Sequence, residues 1–305
     1  MNRPVAPLRV VALLLFSAVL SSSAFALSSR VFVTPLGRDV AGCGALLTPC
    51  KTLAGAVGQA SPGGHVVILT SGEYGPVTIS KSLTIEATGV TALVQTTADA
   101  ITVNAGSSDV VTVRGLTLAG SSHSGHGVFV NSAGQVHVEG CTISGFTDGV
   151  SAVVWSSGRL FVADTTARDN DQGVRVFSTG LIQVSVDHCT LVGNNNGMFI
   201  QDGTKTSVKG TVASGNIQGI GVQATGSTDV TVADCVVANN TGYGISTDGP
   251  SSVVVRVQGT TVVGNQLGLV QYFPSGPSQL LSRQDNTVEG NGGDTFGTIG
   301  TYSPK

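Results

Sequence analysis

From Val111 onward the chain alternates apolar and polar residues in short runs, as in Val136-x-Val138, Val184-x-Val186 and Val230-x-Val232. That is the period-2 signal of a strand with one buried face. Each run leads into a second short apolar segment (CTIS, CTLV, CVVA), then an Asn, then a Gly, then a third strand such as VRVF, MFIQ or IGVQ. The unit restarts at Val136, Leu160, Val184, Thr206, Val230 and Val255, in steps of 24, 24, 22, 24 and 25 residues. A fixed period of this size signals stacked repeats. Three short strands per copy and no helical period predict an all-β fold, a three-sided solenoid or parallel β-helix. Each strand then pairs with its counterpart one rung along, about 4.8 Å away, and the rest of the turn serves as the crossover that parallel strands need.

Matched positions should form columns. Asn170, Asn194, Asn216, Asn240 and Asn265 share one place, with Phe146 in the preceding copy, and their amides should hydrogen-bond along the stack. Gly149, Gly173, Gly197, Gly219, Gly244 and Gly268 follow, where a positive φ at a bend between strands is expected. Cys141, Cys189 and Cys235 alternate with Thr165, Thr211 and Thr260. Two rungs, about 9.6 Å, exceed the reach of a disulfide, so these thiols should be reduced core residues and not metal ligands. Cys43 and Cys50 lie in a loop and should be bridged in an exported protein.

Residues 1–26 carry Arg3 and Arg9, the apolar run Val10 to Leu20, and Ala24-Phe25-Ala26, the layout of a signal peptide cut after Ala26. The run is too short to span a bilayer. Losing the two arginines lowers Lys+Arg from 15 to 13 against 18 acidic residues. With no basic stripe, nucleic acid is not an expected partner; no membrane is expected after cleavage, and no cofactor. Localisation should be secreted, periplasmic or extracellular. Residues 27–65 read as an N-terminal cap with the cysteine loop and a short helix over Thr52–Ala60, ended by Pro62-Gly63-Gly64. Such a plug would cover the open end of a solenoid. Residues 66–290 form the β-helix, and 291–305 an irregular lid or tail.

The stretch from Lys51 to Ile85, with its short helix, Pro-Gly-Gly turn and Gly-x-Tyr segment (Gly72 to Tyr74), resembles the opening of the pectin-lyase-like β-helix superfamily. The later repeats resemble its generic repeat. The resemblance spans nearly all of the expected mature chain and implies a right-handed coil. It does not imply an activity, because the superfamily holds lyases, esterases, hydrolases, epimerases and tailspikes. The methylesterase and polygalacturonase signatures are missing, the lone Gly125-His126-Gly127 is too weak to stand for one, and no acidic calcium set with a nearby base is evident. The chain is most similar to the superfamily's secreted repeat proteins without those signatures.

Polar chemistry on the first strand concentrates in the coils from Val136 to Lys209. Glu139, Asp164, Asp187 and His188 are the catalytic candidates, and His137, Phe161, Arg168 and Lys209 the substrate-binding ones. Glu139 and Asp187, two rungs apart, meet the carboxyl separation of an inverting glycosidase, roughly 6.5–9.5 Å. The same residues also suit plain sheet-surface pairing: Arg114 lies one rung from Glu139, Lys209 one rung from Asp187, and Asp164 neighbours His188. Phe161 suits a sugar ring or simple surface cover, and Trp155, at a turn, suits binding or packing. The sequence thus points to a non-catalytic module binding a glycan (polysaccharide) or a cell-surface protein, with a polysaccharide lyase, epimerase or hydrolase as the alternative.

Overall fold

The structure, a computed structural model, describes residues 27–154, 157–249, 252–272 and 278–303. The expected leader (1–26) and Trp155 lie outside the described residues. The strands wind into three parallel sheets, each strand hydrogen-bonded to its equivalent one turn away. The first sheet has twelve strands and begins with Ser28–Val33 and Ala60–Ile68; the second and third have ten each among the described residues. Register follows the repeat: Val111, Val136, Leu160, Val184, Thr206, Val230, Val255 and Leu280 stand one above another. Their side chains fill the interior, nearly all at 0–5% exposure. Each buried aliphatic contributes about 1.5–3 kcal/mol of hydrophobic stabilisation.

The Asn column forms a continuous amide ladder. In Asn170 both the backbone N–H and the Nδ2 donate to Asn194 Oδ1, at 3.0 and 3.2 Å, and the pattern repeats through Asn216, Asn240 and Asn265. Each Nδ2 also reaches a carbonyl inside the turn, as Asn216 does to Leu191 O at 3.0 Å. The ladder closes on the backbone N–H of Phe146, which donates to Asn170 Oδ1.

The glycine column has a different cause from the expected one. None of the six adopts a positive φ, and all lie within third-sheet strands. A Cβ at Gly173 would stand 2.4 Å from Gly197 O and 3.1 Å from Asn194 Nδ2, and the same clash recurs along the column. Close approach of the coils at the ladder, not a bend, excludes a side chain there. The left-handed corners sit elsewhere: one at the end of the first strand, where Gly115, Gly140, Asp164, His188, Gly210, Asp234 and Gly259 all have φ between 50° and 73°, and one just before the Asn column, at Gly145, Asp169, Gly193, Gly215, Asn239, Gly264 and Gly290.

The free thiols Cys141, Cys189 and Cys235 are buried. The backbone N–H of each donates to the Oγ1 of Thr165, Thr211 or Thr260. Thiol and hydroxyl play the same part, donating to the carbonyl two residues back, as Cys189 does to Asp187 O and Thr211 to Lys209 O. Burial pushes each thiol up to about 11.

Two end regions differ from expectation. The capping helix spans Leu53–Gln59, with Thr52 Oγ1 accepting from Gly55 N–H and with Leu53, Ala56 and Val57 buried. It is not ended by Pro62-Gly63-Gly64; strand Ala60–Ile68 follows directly and contains them. They form an irregularity in the pairing, where Ser28 faces Ala60 but Arg30 faces His65. At the far end, no irregular lid begins at 291 among the described residues. Gly293–Phe296 and Ile299–Thr301 continue the third and first sheets. Asn291 adds a rung to the amide ladder and Asn286 continues the Cys/Thr column. Backbone pairing outlasts the side-chain repeat because the ladder requires only N–H and C=O groups in register. Cys43 and Cys50 are bonded, 5.0 Å apart at Cα.

Replacing Asn216 by Ala would strip partners from the buried Asn194 and Leu191 backbone groups. It should lower unfolding free energy by about 2–4 kcal/mol in denaturant titration. Cys189→Thr, which supplies the hydroxyl the column already uses, should change it by less than about 1 kcal/mol. The native chain should leave all three buried thiols unreactive toward a thiol reagent at neutral pH, and unfolding should expose them.

Candidate functional site

The first sheet brings some of the expected residues together and separates others. Glu139 lies opposite Arg114 on one side and Ala163 on the other, and Ala163 in turn faces Asp187, so the two carboxylates are two rungs apart. Glu139 is held closely: Arg114 Nε and Nη2 donate to its Oε2 at 2.8 and 2.6 Å, and His137 Nδ1 stands 3.5 Å from its Oε1. That pairing raises the Arg114 guanidinium pKa. His137 stacks on Phe161, with ring centroids 4.6 Å apart and planes 12° from parallel. Arg114, Glu139, His137 and Phe161 therefore form one interlocked surface cluster.

Asp187 stands opposite Lys209 in register, but its close side-chain neighbour is His188, with Nδ1 3.0 Å from Asp187 Oδ1. Both side chains are about half exposed, at 64% and 46%. Asp164 and His188 occupy the left-handed corner shared with four glycines and Asp234. Gly, Asp and Asn-like short polar residues tolerate that conformation best, so the corner accounts for the Asp without a ligand. Arg168 is not part of the group. It ends the second-sheet strand Thr166–Arg168 and donates to its neighbour Asp169 at 2.6 Å.

The third sheet carries two arrangements that the sequence reading missed. In the first, Asp99 Oδ1 accepts from the His126 backbone N–H at 3.0 Å and stands 2.7 Å from Nδ1 of the same residue. His126 Nε2 points toward Asp148, 3.5 Å away, and Arg175 Nη1 approaches the same carboxylate at 3.9 Å. The Asp148 side chain is fully buried, and neither oxygen has a partner in hydrogen-bond geometry. Burial raises its pKa, opposed by the nearby Ser151 hydroxyl, His126 and Arg175. The only signal for this cluster was Gly125-His126-Gly127, set aside as a fragment of a motif.

The second arrangement is a cleft of about 300 Å³ four coils further on. Arg175, Phe199, Gly221 and Ser246 share one outward column. Where Gly221 and the buried Ser246 replace large side chains the surface sinks, and Phe199, Tyr243 and Tyr272 stand around the depression. Tyr243 and Tyr272 meet edge to face at 5.5 Å. Gln218 donates to the Ser246 hydroxyl, and Gln223 Nε2 to Asp248 Oδ2 at 3.4 Å. Burial and the neighbouring Tyr243 push the Tyr272 hydroxyl up to about 12. This cleft exists because Gly221 and Ser246 interrupt the column, so no repeat marked it.

Because the folded chain keeps the Asp148 proton to higher pH than the unfolded chain, this group favours folding below its raised value and loses that contribution as pH rises past it. Asp148→Asn cannot titrate. The wild-type melting temperature relative to the variant should therefore rise on going from about pH 7 to about pH 4, measured by calorimetry in matched buffers.

No curated protein matches the chain. Among solved structures it is similar to the pectate lyase Pel9A, at 13% identity over 91% of this chain and 78% of that one, TM-score 0.48. It is likewise similar to a rhamnogalacturonan lyase, at 13% identity over 85% and 86%, TM-score 0.48. Residues 97–292 match the family model described as periplasmic copper-binding protein (NosD). That match spans well over half the chain, across the repeats and the amide ladder, and the protein belongs to the NosD family.

Proposed function

We propose that the chain is an exported, non-catalytic glycan-binding module that holds an uncharged sugar unit in the third-sheet cleft. One observation carries this reading: Phe199, Tyr243 and Tyr272 surround a floor made of Gly221 and Ser246. Aromatic faces suit the C–H faces of a pyranose, and the convergent amides and carboxylate of Gln218, Gln223 and Asp248 suit its hydroxyls. On the first sheet, by contrast, Glu139 is bound by Arg114 and Asp187 by His188. The family description and the charged, apolar, small-x-small start of the chain both support a periplasmic or extracellular destination.

The family description names copper, and the donors among the described residues do not fit such a site. The three free thiols lie buried within the coil on alternate rungs and donate to backbone carbonyls. The two nitrogens of His126 face different carboxylates, one of which also faces Arg175. Among the described residues one trio of potential ligands converges, Asp39 with Cys43 and Cys50, and its two sulfurs are joined in the disulfide.

The alternative reading, a polysaccharide-active enzyme, keeps Glu139 and Asp187 as its carboxyl pair. Both readings meet in one experiment. A glycan array with the purified chain should give binding without unsaturated or reducing-end products. Paired Tyr243→Ala and Tyr272→Ala changes should weaken the best glycan at least about tenfold by calorimetry, the loss of about 1.4 kcal/mol of ring contact. Phe161→Ala and Asp187→Ala should leave it unchanged. Product release abolished by Asp187→Ala would replace the binding reading with the enzyme.

A further inference from the structure

The cap loop from Leu36 to Pro49, braced by the Cys43–Cys50 disulfide, presents the two most exposed large apolar side chains among the described residues, Leu47 at 93% and Leu36 at 92%. Val40 and Leu46 are also exposed, at 58% and 59%. Leu36, Val40 and Leu47 border one shallow depression together with Arg38 and Pro49, so they share a face. Leu46 and Leu47 form the tip of a tight turn closed by the Ala45–Thr48 bridge.

This loop is not a loose segment whose side chains could fold back. Besides the disulfide, Phe32 N–H donates to Gly44 O, Cys50 N–H to Phe32 O, Gly44 N–H to Thr48 O and Arg38 N–H to Pro49 O. A rigid loop that holds leucines out in water carries a standing cost unless they are covered. Its charge also differs from that of the chain. The whole sequence is net acidic, yet the loop carries the exposed Arg38 at the leucine face and is flanked along the chain by the exposed Arg30 and Lys51, against one acid, Asp39. The Asp39 carboxylate is occupied by the backbone N–H groups of Lys51 and Thr52 and by the Thr52 hydroxyl.

Projecting aliphatic tips with a basic collar have the chemistry of an interfacial anchor. The leucines enter the boundary between headgroup and acyl chain while the cations meet anionic headgroups. We propose that this cap loop docks the solenoid, end-on, onto the surface of an anionic lipid bilayer. Among the described residues no helix is long and apolar enough to cross a membrane, which does not bear on resting against one. End-on docking would leave the sheets, with the cleft by Gly221, projecting away from the lipid.

The test is co-sedimentation of the purified exported chain with vesicles of pure phosphatidylglycerol and of pure phosphatidylcholine. Binding should be to phosphatidylglycerol, should weaken with added salt as surface charge is screened, and should fall at least about tenfold in the double variant Leu36→Ser, Leu47→Ser. Both side chains are nearly fully exposed, so the variant should keep the wild-type melting temperature. Ile217→Ser, which removes an exposed aliphatic side chain far along the coil, should bind as wild type does. Failure to bind phosphatidylglycerol, equal binding to phosphatidylcholine, or binding undiminished in the double variant would each overturn the proposal. So would a concentration-dependent dimer that the double variant abolishes without any vesicle binding, which would assign the loop to a second copy of the chain.

Discussion

The structure depends on one constraint: each backbone strand lies directly over its equivalent in the preceding turn. Parallel hydrogen bonds along three sheets impose it, and the buried amide column sharpens it. An Asn Oδ1 that accepts from both the backbone N–H and the Nδ2 of the preceding coil satisfies groups that would otherwise be orphaned where the chain turns between two sheets. An unpaired buried amide costs about 1–3 kcal/mol, so a slip of register at any coil would strand several at once. The ladder therefore locks register as well as adding stability.

That constraint explains residue choices that look chemical in isolation. The glycines beside the ladder are small because two coils meet there at backbone distance. Asp164, His188 and Asp234 sit where other coils use Gly, in a left-handed corner. The cysteines replace Thr as donors inside the coil. With those demands met by the winding, the residues left for function are ones that break the columns. Gly221 and Ser246 open a cleft among aromatic side chains, and Asp148 places a buried carboxylate that has His126 and Arg175 as ion-pair neighbours but no hydrogen-bond partner. At the cap, leucines stand in water on a braced loop.

The regular part of the molecule was readable in advance because the period of the chain equals the period of the stack. Val136 over Leu160 over Val184, the alternating thiols, the cap helix near Leu53 and the Cys43–Cys50 bridge are local or periodic statements. The ion pair of Arg114 with Glu139 was legible for the same reason. Failures came where the period was silent. Arg168 looked close to the candidates along the chain but turned onto another sheet. The ends were misjudged because Pro62-Gly63-Gly64 and the last coil depart from the repeat while keeping backbone pairing. The third-sheet residues escaped notice although His126 and Asp148 are register partners, since the residue type at that place changes from coil to coil, to Gln172, Asn196 and Gln218, and Arg175 lies three places further along its strand.

The sequence by itself determined the winding, the core and the columns, because a two-period pattern nested in a period of about two dozen residues admits one way to bury its apolar face. Only the tertiary structure decided which polar side chains meet. A side chain's neighbours in a solenoid come from other turns and from around the corner of its own, and small departures from the repeat decide whether a column stays flush or sinks into a cleft. His137 on Phe161, Tyr243 against Tyr272, and the leucines held clear of the core by the disulfide loop are all settled at that level.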